Sequence, residues 1–100
     1  MFEISVDYGP ESVTVLFKGQ LGYAQVEHCL PVMREIKAVT TKRYVADLSQ
    51  LTAIDSSGLG MLISLRNASM RANGSFHIKG AAGAVAETLR LARIDKLVSD

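Results

Sequence analysis

Two adjacent serines, Ser56 and Ser57, lie between Asp55 and the segment Gly58-Leu59-Gly60. A surface serine can accept a phosphoryl group from a kinase, and the phosphate adds roughly two negative charges at neutral pH. A serine ahead of an apolar-periodic run is also a favoured helix N-cap. The pair therefore has two interpretations, a phosphorylation site and a helix cap, and Ser57 is the expected cap.

Four other polar side chains could take part in catalysis or metal binding. Asp47 and Asp55 could form a carboxylate pair, but no third ligand is identifiable, and loop aspartates commonly accept hydrogen bonds from nearby amides. His28 and His77 could serve a nucleophilic serine, but the sequence contains no Gly-x-Ser-x-Gly elbow. We therefore expect structural roles for these residues, no catalytic residue and no metal site.

Two glycine-rich segments, Gly58-Leu59-Gly60 and Gly80-Ala81-Ala82-Gly83, could hold a phosphate at the start of a helix. Neither matches a dinucleotide-binding fingerprint or a P-loop with its lysine. Lys42, Arg43 and Tyr44 form a small basic group without an aromatic series, which indicates a solvated strand entry rather than a nucleic-acid surface. We expect no cofactor and no nucleic-acid partner.

The composition is that of an ordinary water-soluble domain. Of 100 residues, 48% are apolar and 21% are charged, a balance that permits one hydrophobic core and excludes disorder. The formal net charge of +1 is too small to gather nucleic acid or an anionic membrane surface. Cys29 is the only cysteine, and the sequence contains neither a signal-peptide pattern nor a membrane-spanning apolar run. We expect one domain, residues 1–100, in the cytoplasm, with proteins and no membrane as partners.

Four short segments have the composition of β-strands: Phe2–Val6, Val13–Phe17, Tyr44–Ser49 and Ser75–Lys79. Turn-forming residues between the first two predict a β-hairpin, and Gly19 is expected to end the second strand. Helix-length connections separate the later strands, which favours parallel pairing with right-handed crossovers. The predicted fold class is α/β, with an N-terminal β-hairpin leading into a mixed central sheet of about four strands packed with helices.

Three segments have helical periodicity. The first begins near Ala24 and contains Pro31, which predicts a kink or a restart of the helix. The second opens at the serine pair and ends near Ala72, with Asn73-Gly74 as a left-handed terminus. The predicted buried positions are Val26, Cys29, Leu30, Met33 and Ile36 in the first helix, Leu59, Leu62, Ile63 and Met70 in the second, and Val85, Leu89 and Ala92 in the third, with Ile94 and Leu97 closing the core.

The segment from Asp47 to Gly60 resembles the signature of STAS domains, which are named after sulfate transporters and anti-sigma factor antagonists. An aspartate ends a central strand, a hydrophobic residue precedes a second aspartate, and a serine pair with Gly-Leu-Gly opens a helix. The resemblance continues through Gly74, the strand 76–80, Val85 and the segment 89–95, and so spans roughly the whole chain. It implies the STAS fold and a regulatory protein rather than an enzyme.

In the antagonist branch of that family, the first serine after the aspartate is phosphorylated by an anti-sigma factor that is itself a serine kinase. By position the resemblance assigns Ser56, with Ser57 as the second choice. The unmodified antagonist binds the anti-sigma factor, phosphorylation ends the binding, and a serine phosphatase resets the cycle. The resemblance thus implies partner switching through these residues: Asp55, Ser56, Ser57, Gly58, Leu59, Gly60 and Gly22.

Gly22 departs from the family pattern, since relatives usually carry an aspartate there, close to the phosphorylated serine. The departure leaves open an alternative function on the same fold: a constitutive scaffold or sensor subunit of a larger signalling complex, in which the serine is never modified. A small-ligand-binding domain or enzyme that uses the glycine-rich segments is a third alternative. The sequence leaves the oligomeric state open.

Overall fold

The computed structural model describes residues 1–94. Its strands are β1 (Phe2–Tyr8), β2 (Ser12–Leu21), β3 (Arg43–Ile54) and β4 (Ser75–Lys79), and its α-helices are α1 (Val26–Lys37), α2 (Ser56–Arg71) and α3 (Gly83–Leu91). A short 3₁₀ turn, Tyr23–Gln25, leads into α1. None of these helices combines the length and the apolar character needed to cross a bilayer.

The four strands form one mixed sheet in the order β1-β2-β3-β4. β1 and β2 are antiparallel, whereas β3 is parallel to both β2 and β4. Parallel neighbours need a long connection, which α1 supplies between β2 and β3, and α2 between β3 and β4. The predicted hairpin and mixed sheet are confirmed, and β4 has the predicted bounds.

Alternation along β2 separates the two faces of the sheet. Val13, Val15 and Phe17 are fully buried, while the residues between them are partly exposed. Tyr44 and Phe76, which continue the register of Val13 across β3 and β4, are buried on the same face. The helices cover this face and complete one core with their buried side chains: Cys29, Met33 and Ile36 of α1, Leu62, Leu65 and Ala68 of α2, and Val85 and Leu89 of α3.

Both central strands are longer than predicted, because Gly19 does not end β2. Gly19 has a φ of 94°, a conformation that glycine adopts readily, and the strand continues through an irregularity in its register to Leu21. β3 runs parallel to this extension as far as Ile54, which pairs with Leu21. The carboxyl ends of the two strands therefore lie side by side, and the segments that follow them become neighbours.

Several helical predictions are wrong. The restart predicted at Pro31 does not occur, because α1 continues through that residue as one helix, and the alternative of a kink there stays a prediction. In α2, Leu65 and Ala68 face the core in place of two predicted residues, since the helix carries two overlapping apolar stripes and buries the other one. Ile94 is buried as predicted, and Leu97 lies outside the described residues. Four residues predicted to be buried are exposed: Leu30, Ile63, Met70 and Ala92.

Candidate functional site

The serine pair lies where two adjacent parallel strands end. β3 ends at Ile54, Asp55 follows, and α2 begins at Ser56. The amide of Asp55 donates a hydrogen bond to the carbonyl oxygen of Leu21, 3.2 Å away, which ties the start of α2 to the end of β2. Ligands of open α/β sheets commonly bind beyond the carboxyl ends of the strands. The predicted site therefore lies at the edge of the sheet where open α/β folds commonly bind their ligands.

Asp55, and not Ser57, caps α2. Its Oδ1 accepts a hydrogen bond from the Gly58 amide at 3.0 Å, and its Oδ2 accepts one from the Tyr23 amide at 3.2 Å. A carboxylate suits this position better than a hydroxyl because it also interacts with the positive end of the helix dipole. The Gly58 amide does most to lower the pKa of Asp55, burial opposes it, and the amides of Tyr23 and Ser57 add to the lowering. Asp55 is consequently ionised at neutral pH.

Replacing Asp55 with alanine should lower the stability of the protein at neutral pH, because it removes the helix cap and the bond to the Tyr23 amide. The folded-state pKa of Asp55 lies below its unfolded value, so its contribution is present above about pH 4 and is lost as the pH falls through the folded pKa. Urea denaturation of both proteins from about pH 7 down to about pH 3 measures the difference. A difference that stayed constant over this range would contradict the proposed role of the carboxylate.

The other motif residues occupy distinct environments around the start of α2. Ser56 is exposed and Ser57 is partly buried, so the Ser56 hydroxyl is the more accessible to another protein. Gly58 is buried, and a Cβ on it would lie 2.4 Å from a backbone carbonyl oxygen of β2. Leu59 packs partly against the core. Gly60 borders open space within the described part of the chain.

Gly22 lies against the carboxylate of Asp55. A Cβ on Gly22 would be 2.7 Å from Oδ2 and 3.2 Å from the carboxyl carbon of Asp55. The side chain of Gln25 reaches back and accepts a hydrogen bond from the Gly22 amide at 2.9 Å, which closes the turn. A Cβ at this position would require the carboxylate of Asp55 to shift, and the structure brings Gly22 together with the motif that begins at Asp55.

No pattern in the sequence indicates that Tyr23 and Gln25 belong to the site. The Tyr23 side chain is 82% exposed, while its amide bonds to Asp55, a residue 32 positions along the chain. Beside the turn lies an open depression of about 470 Å³, lined by the turn itself and by Ala53, Ile54 and Asp55. Only the pairing of the extended strands brings these residues together, so no local pattern could reveal them.

Asp47 is too far from Asp55 to form a carboxylate pair with it. The two residues are separated by eight positions along an extended strand, roughly 25 Å. Asp47 Oδ1 accepts a hydrogen bond from the Ser49 amide at 2.9 Å. Burial raises the pKa of Asp47, but the hydrogen bonds from Ser49 and the charge of Lys79 outweigh it, and the net pKa is lowered. Asp47 thus has the local structural role that we expected.

Both histidines also have structural contacts. The ring of His28 stacks on that of Phe2 at a centroid distance of 6.4 Å, and His77 Nε2 lies 2.8 Å from the Ser75 hydroxyl. Among residues 1–94, no group of three or more His, Cys, Asp or Glu side chains is placed to hold a metal ion. A larger depression of about 840 Å³ lies near the start of β3, around Arg43, and does not include the serine pair.

Comparison with known proteins identifies the family. The family described as "Mlab, STAS domain" matches residues 5–99, nearly the whole chain. The protein therefore belongs to the STAS domain family. A STAS-domain containing protein of Pseudomonas aeruginosa is 26% identical over 87 residues, which cover 87% of this chain and 85% of that protein.

Solved structures share the fold at low sequence identity. An anti-sigma factor antagonist from Mycobacterium paratuberculosis superimposes with a TM-score of 0.86 at 18% identity, over 98% of this chain and 83% of that one. The anti-sigma factor antagonist SpoIIAA in its unphosphorylated form gives 0.77 at 18% identity, over 100% and 87% of the two chains. The phosphorylated form of SpoIIAA from Bacillus gives 0.69 at 17% identity, over 100% and 90%. The likeness confirms the predicted α/β fold.

Proposed function

We propose that this protein is an anti-sigma factor antagonist: a cytoplasmic, non-enzymatic regulator that binds an anti-sigma factor with serine kinase activity and is released by phosphorylation of Ser56. A serine phosphatase restores the binding form. The observation that carries the proposal is the exposed Ser56 hydroxyl at the first position of α2, beside the ionised Asp55, in a STAS domain.

A phosphate on Ser56 is compatible with the fold. The side chain is exposed, and the N-terminus of a helix tolerates negative charge through its dipole and its amides. The phosphate changes the protein surface instead, because it adds roughly two negative charges next to the ionised Asp55. A partner packed on the unmodified hydroxyl would have to accommodate the added bulk and desolvate these charges. Phosphorylation therefore favours release of the partner.

The structures of SpoIIAA support this proposal by analogy. That protein is described both in an unphosphorylated and in a phosphorylated form, and each form superimposes on the whole of the present chain. One fold thus accommodates both states in a protein of similar architecture. The same behaviour in the present chain requires an accessible acceptor, which Ser56 supplies.

Replacing Ser56 with aspartate should weaken binding to the cognate anti-sigma factor by about tenfold or more, because a charge enters the interface. Ser56→Asn is the matched control, since asparagine has the shape of aspartate without its charge. Calorimetric titration measures both affinities after circular dichroism has established that each variant is folded. Equal affinities of the aspartate and asparagine variants would remove charge as the basis of the switch.

A constitutive scaffold or sensor subunit of a larger signalling complex is the second candidate, and Gly22 favours it. The position where relatives usually carry an aspartate has no carboxylate here, and Asp55 occupies the adjoining space. The family description also names Mlab rather than an anti-sigma factor antagonist. Phosphopeptide mapping of the protein from its native host, with phosphatases inhibited, separates the two candidates. Phosphate on Ser56 that varies with growth conditions supports the switch, and a consistently unmodified Ser56 supports the scaffold.

A further inference from the structure

The sheet has a second face, which points away from the hydrophobic core. Side chains alternate along a strand, and Leu16 in β2 and Val45 in β3 each lie between two residues of the core. Both therefore point to the opposite side of the sheet, and neither belongs to the core. The depression of about 840 Å³ opens on the same side, where Thr14, Val45 and Lys79 line it. We call this side of the sheet the open face.

The strands carry all their carboxylates, ammonium groups and guanidinium groups on the open face, because each of these side chains adjoins a residue that packs in the core. They are three acidic and three basic residues of the described strands: Glu3, Asp7 and Asp47, and Lys18, Arg43 and Lys79. The open face is thus neutral as a whole with respect to these groups. Its charges are nevertheless separated, since β1 supplies only carboxylates and β4, at the other edge, supplies Lys79.

The apolar residues of the open face lie on the inner strands, between these charged edges. Leu16 is partly buried, and Val45 is 9% exposed although it lies outside the core. An apolar centre with a charged rim is typical of protein interfaces. One face of a sheet that contains antiparallel strands can also be solvated, so the apolar centre alone does not identify an interface. The arrangement of the charges decides what can cover the open face.

Opposite charges at its two edges make the open face complementary to a second copy of itself. A rotation of 180° about an axis parallel to the strands places β1 of one copy over β4 of the other, and β2 over β3. A rotation about an axis across the strands would instead place β1 over β1, with carboxylates facing carboxylates, which is unfavourable. We propose that two copies of this chain associate through their open faces, with β1 of each copy over β4 of the other.

The register of the sheet gives this pairing specific contacts. Ser5 and Lys79 belong to the same row of neighbours across the four strands, since Ser5 pairs with Leu16, Leu16 with Asp47, and Asp47 with Lys79. In the pairing, Lys79 of one copy therefore lies opposite Ser5 of the other. The carboxylates on both sides of that serine, Glu3 and Asp7, flank the ammonium group. The rotation creates this contact twice, once at each edge of the paired sheets.

The size of the open face predicts a weak dimer. Four strands about 4.8 Å apart, paired over roughly 20 Å, present roughly 400 Å² of face in each copy. Stable interfaces bury about 800 Å² in each partner, so we expect a concentration-dependent dimer with a dissociation constant in the micromolar range. Ser56 lies in α2, which packs on the other side of the sheet, and stays accessible in the dimer. The inference is therefore independent of the proposed function.

Two charge-reversal variants test the pairing. The basic variant carries Glu3→Lys and Asp7→Lys, and the acidic variant carries Arg43→Glu and Lys79→Glu; all four positions are exposed. Each variant alone should dimerise at least about tenfold more weakly than the wild type, because like charges then face each other at both edges. An equimolar mixture of the two should form a heterodimer, since the basic face again meets an acidic one. The matched control is Glu27→Lys, an exposed position of α1, which should leave the dimer unchanged.

Sedimentation equilibrium over a wide range of concentrations measures the association, after circular dichroism has established that each variant is folded. High salt should weaken the wild-type dimer, because it screens exposed charges. Dimerisation of the wild type, its loss in both variants and its return in their mixture support the inference. A wild type that remains a monomer at all concentrations overturns it without any variant. A wild-type dimer that persists in both variants also overturns it, because the contact then lies on another surface.

Discussion

Replacing Gly58 with alanine is expected to lower the free energy of unfolding by about 3 kcal/mol. The added Cβ would lie 2.4 Å from the carbonyl oxygen of Leu21 and 2.7 Å from Cγ1 of Ile54. The carbonyl is held in place because it accepts the hydrogen bond of the Asp55 amide. α2 would therefore have to move away from β2, which would loosen the packing of the fully buried Leu62 one turn further along the helix.

Urea denaturation at neutral pH measures this effect, and Gly60→Ala is the control two residues further along. The same substitution there meets open space in the described structure and should raise the free energy of unfolding by about 0.5–1 kcal/mol. Changes of opposite sign at two nearby glycines would show that the approach of β2, and not helix propensity, decides the effect at Gly58. A loss at Gly58 of less than about 1 kcal/mol would show that the helix and the strand separate easily.

The order of the elements could be predicted from the sequence, but the rotation of α2 about its axis could not. β4 was predictable because it is a short apolar segment between turn signals. α2 carries two overlapping apolar stripes, and periodicity alone favoured the one with Ile63 and Met70. The structure buries the other stripe, in which the hydroxyl of Ser69 donates a hydrogen bond to the carbonyl oxygen of Arg66. The close contact of Gly58 with β2 sets this rotation, and a pattern of apolar residues does not contain that information.

Apart from Gly22, which the resemblance also placed near the serine, the candidate site was predictable only where its residues are consecutive. The resemblance located the motif from Asp55 to Gly60, whereas helix-capping preferences favoured Ser57 as the cap. The structure gives that role to Asp55, whose carboxylate also accepts the amide of Tyr23, a residue 32 positions away. This contact exists because β2 continues past Gly19, where the sequence predicted its end. The wrong strand boundary and the missed neighbour of Asp55 therefore have a single cause.

Gly22→Asp, which introduces the residue that relatives usually carry, is expected to lower the free energy of unfolding by about 2 kcal/mol at neutral pH. The new Cβ would lie 2.7 Å from Oδ2 of Asp55, and a second carboxylate would lie beside an ionised one. Asp55 would have to give up its hydrogen bond from either the Tyr23 amide or the Gly58 amide. Gly22→Ala is the matched control, since it adds the Cβ without the charge. Urea denaturation of the three proteins measures the effect.

The contribution of the carboxylates to the free energy of unfolding changes with pH in opposite directions in the wild type and in Gly22→Asp. In the wild type, the pKa of Asp55 is lowered, so its contribution to stability is present above about pH 4 and is lost in acid. In Gly22→Asp, two adjacent carboxylates raise the pKa of one of them above its unfolded value, so stability is lost as the pH rises through that raised pKa. Acidification from about pH 7 to about pH 5 should therefore reduce the difference in free energy of unfolding between Gly22→Asp and the wild type. The difference between Gly22→Ala and the wild type should stay unchanged over the same range. If the difference in free energy of unfolding between Gly22→Asp and the wild type stayed constant, the new side chain would have to turn away from Asp55. The fold would then not explain why this position lacks an aspartate, and the explanation would lie in partner binding.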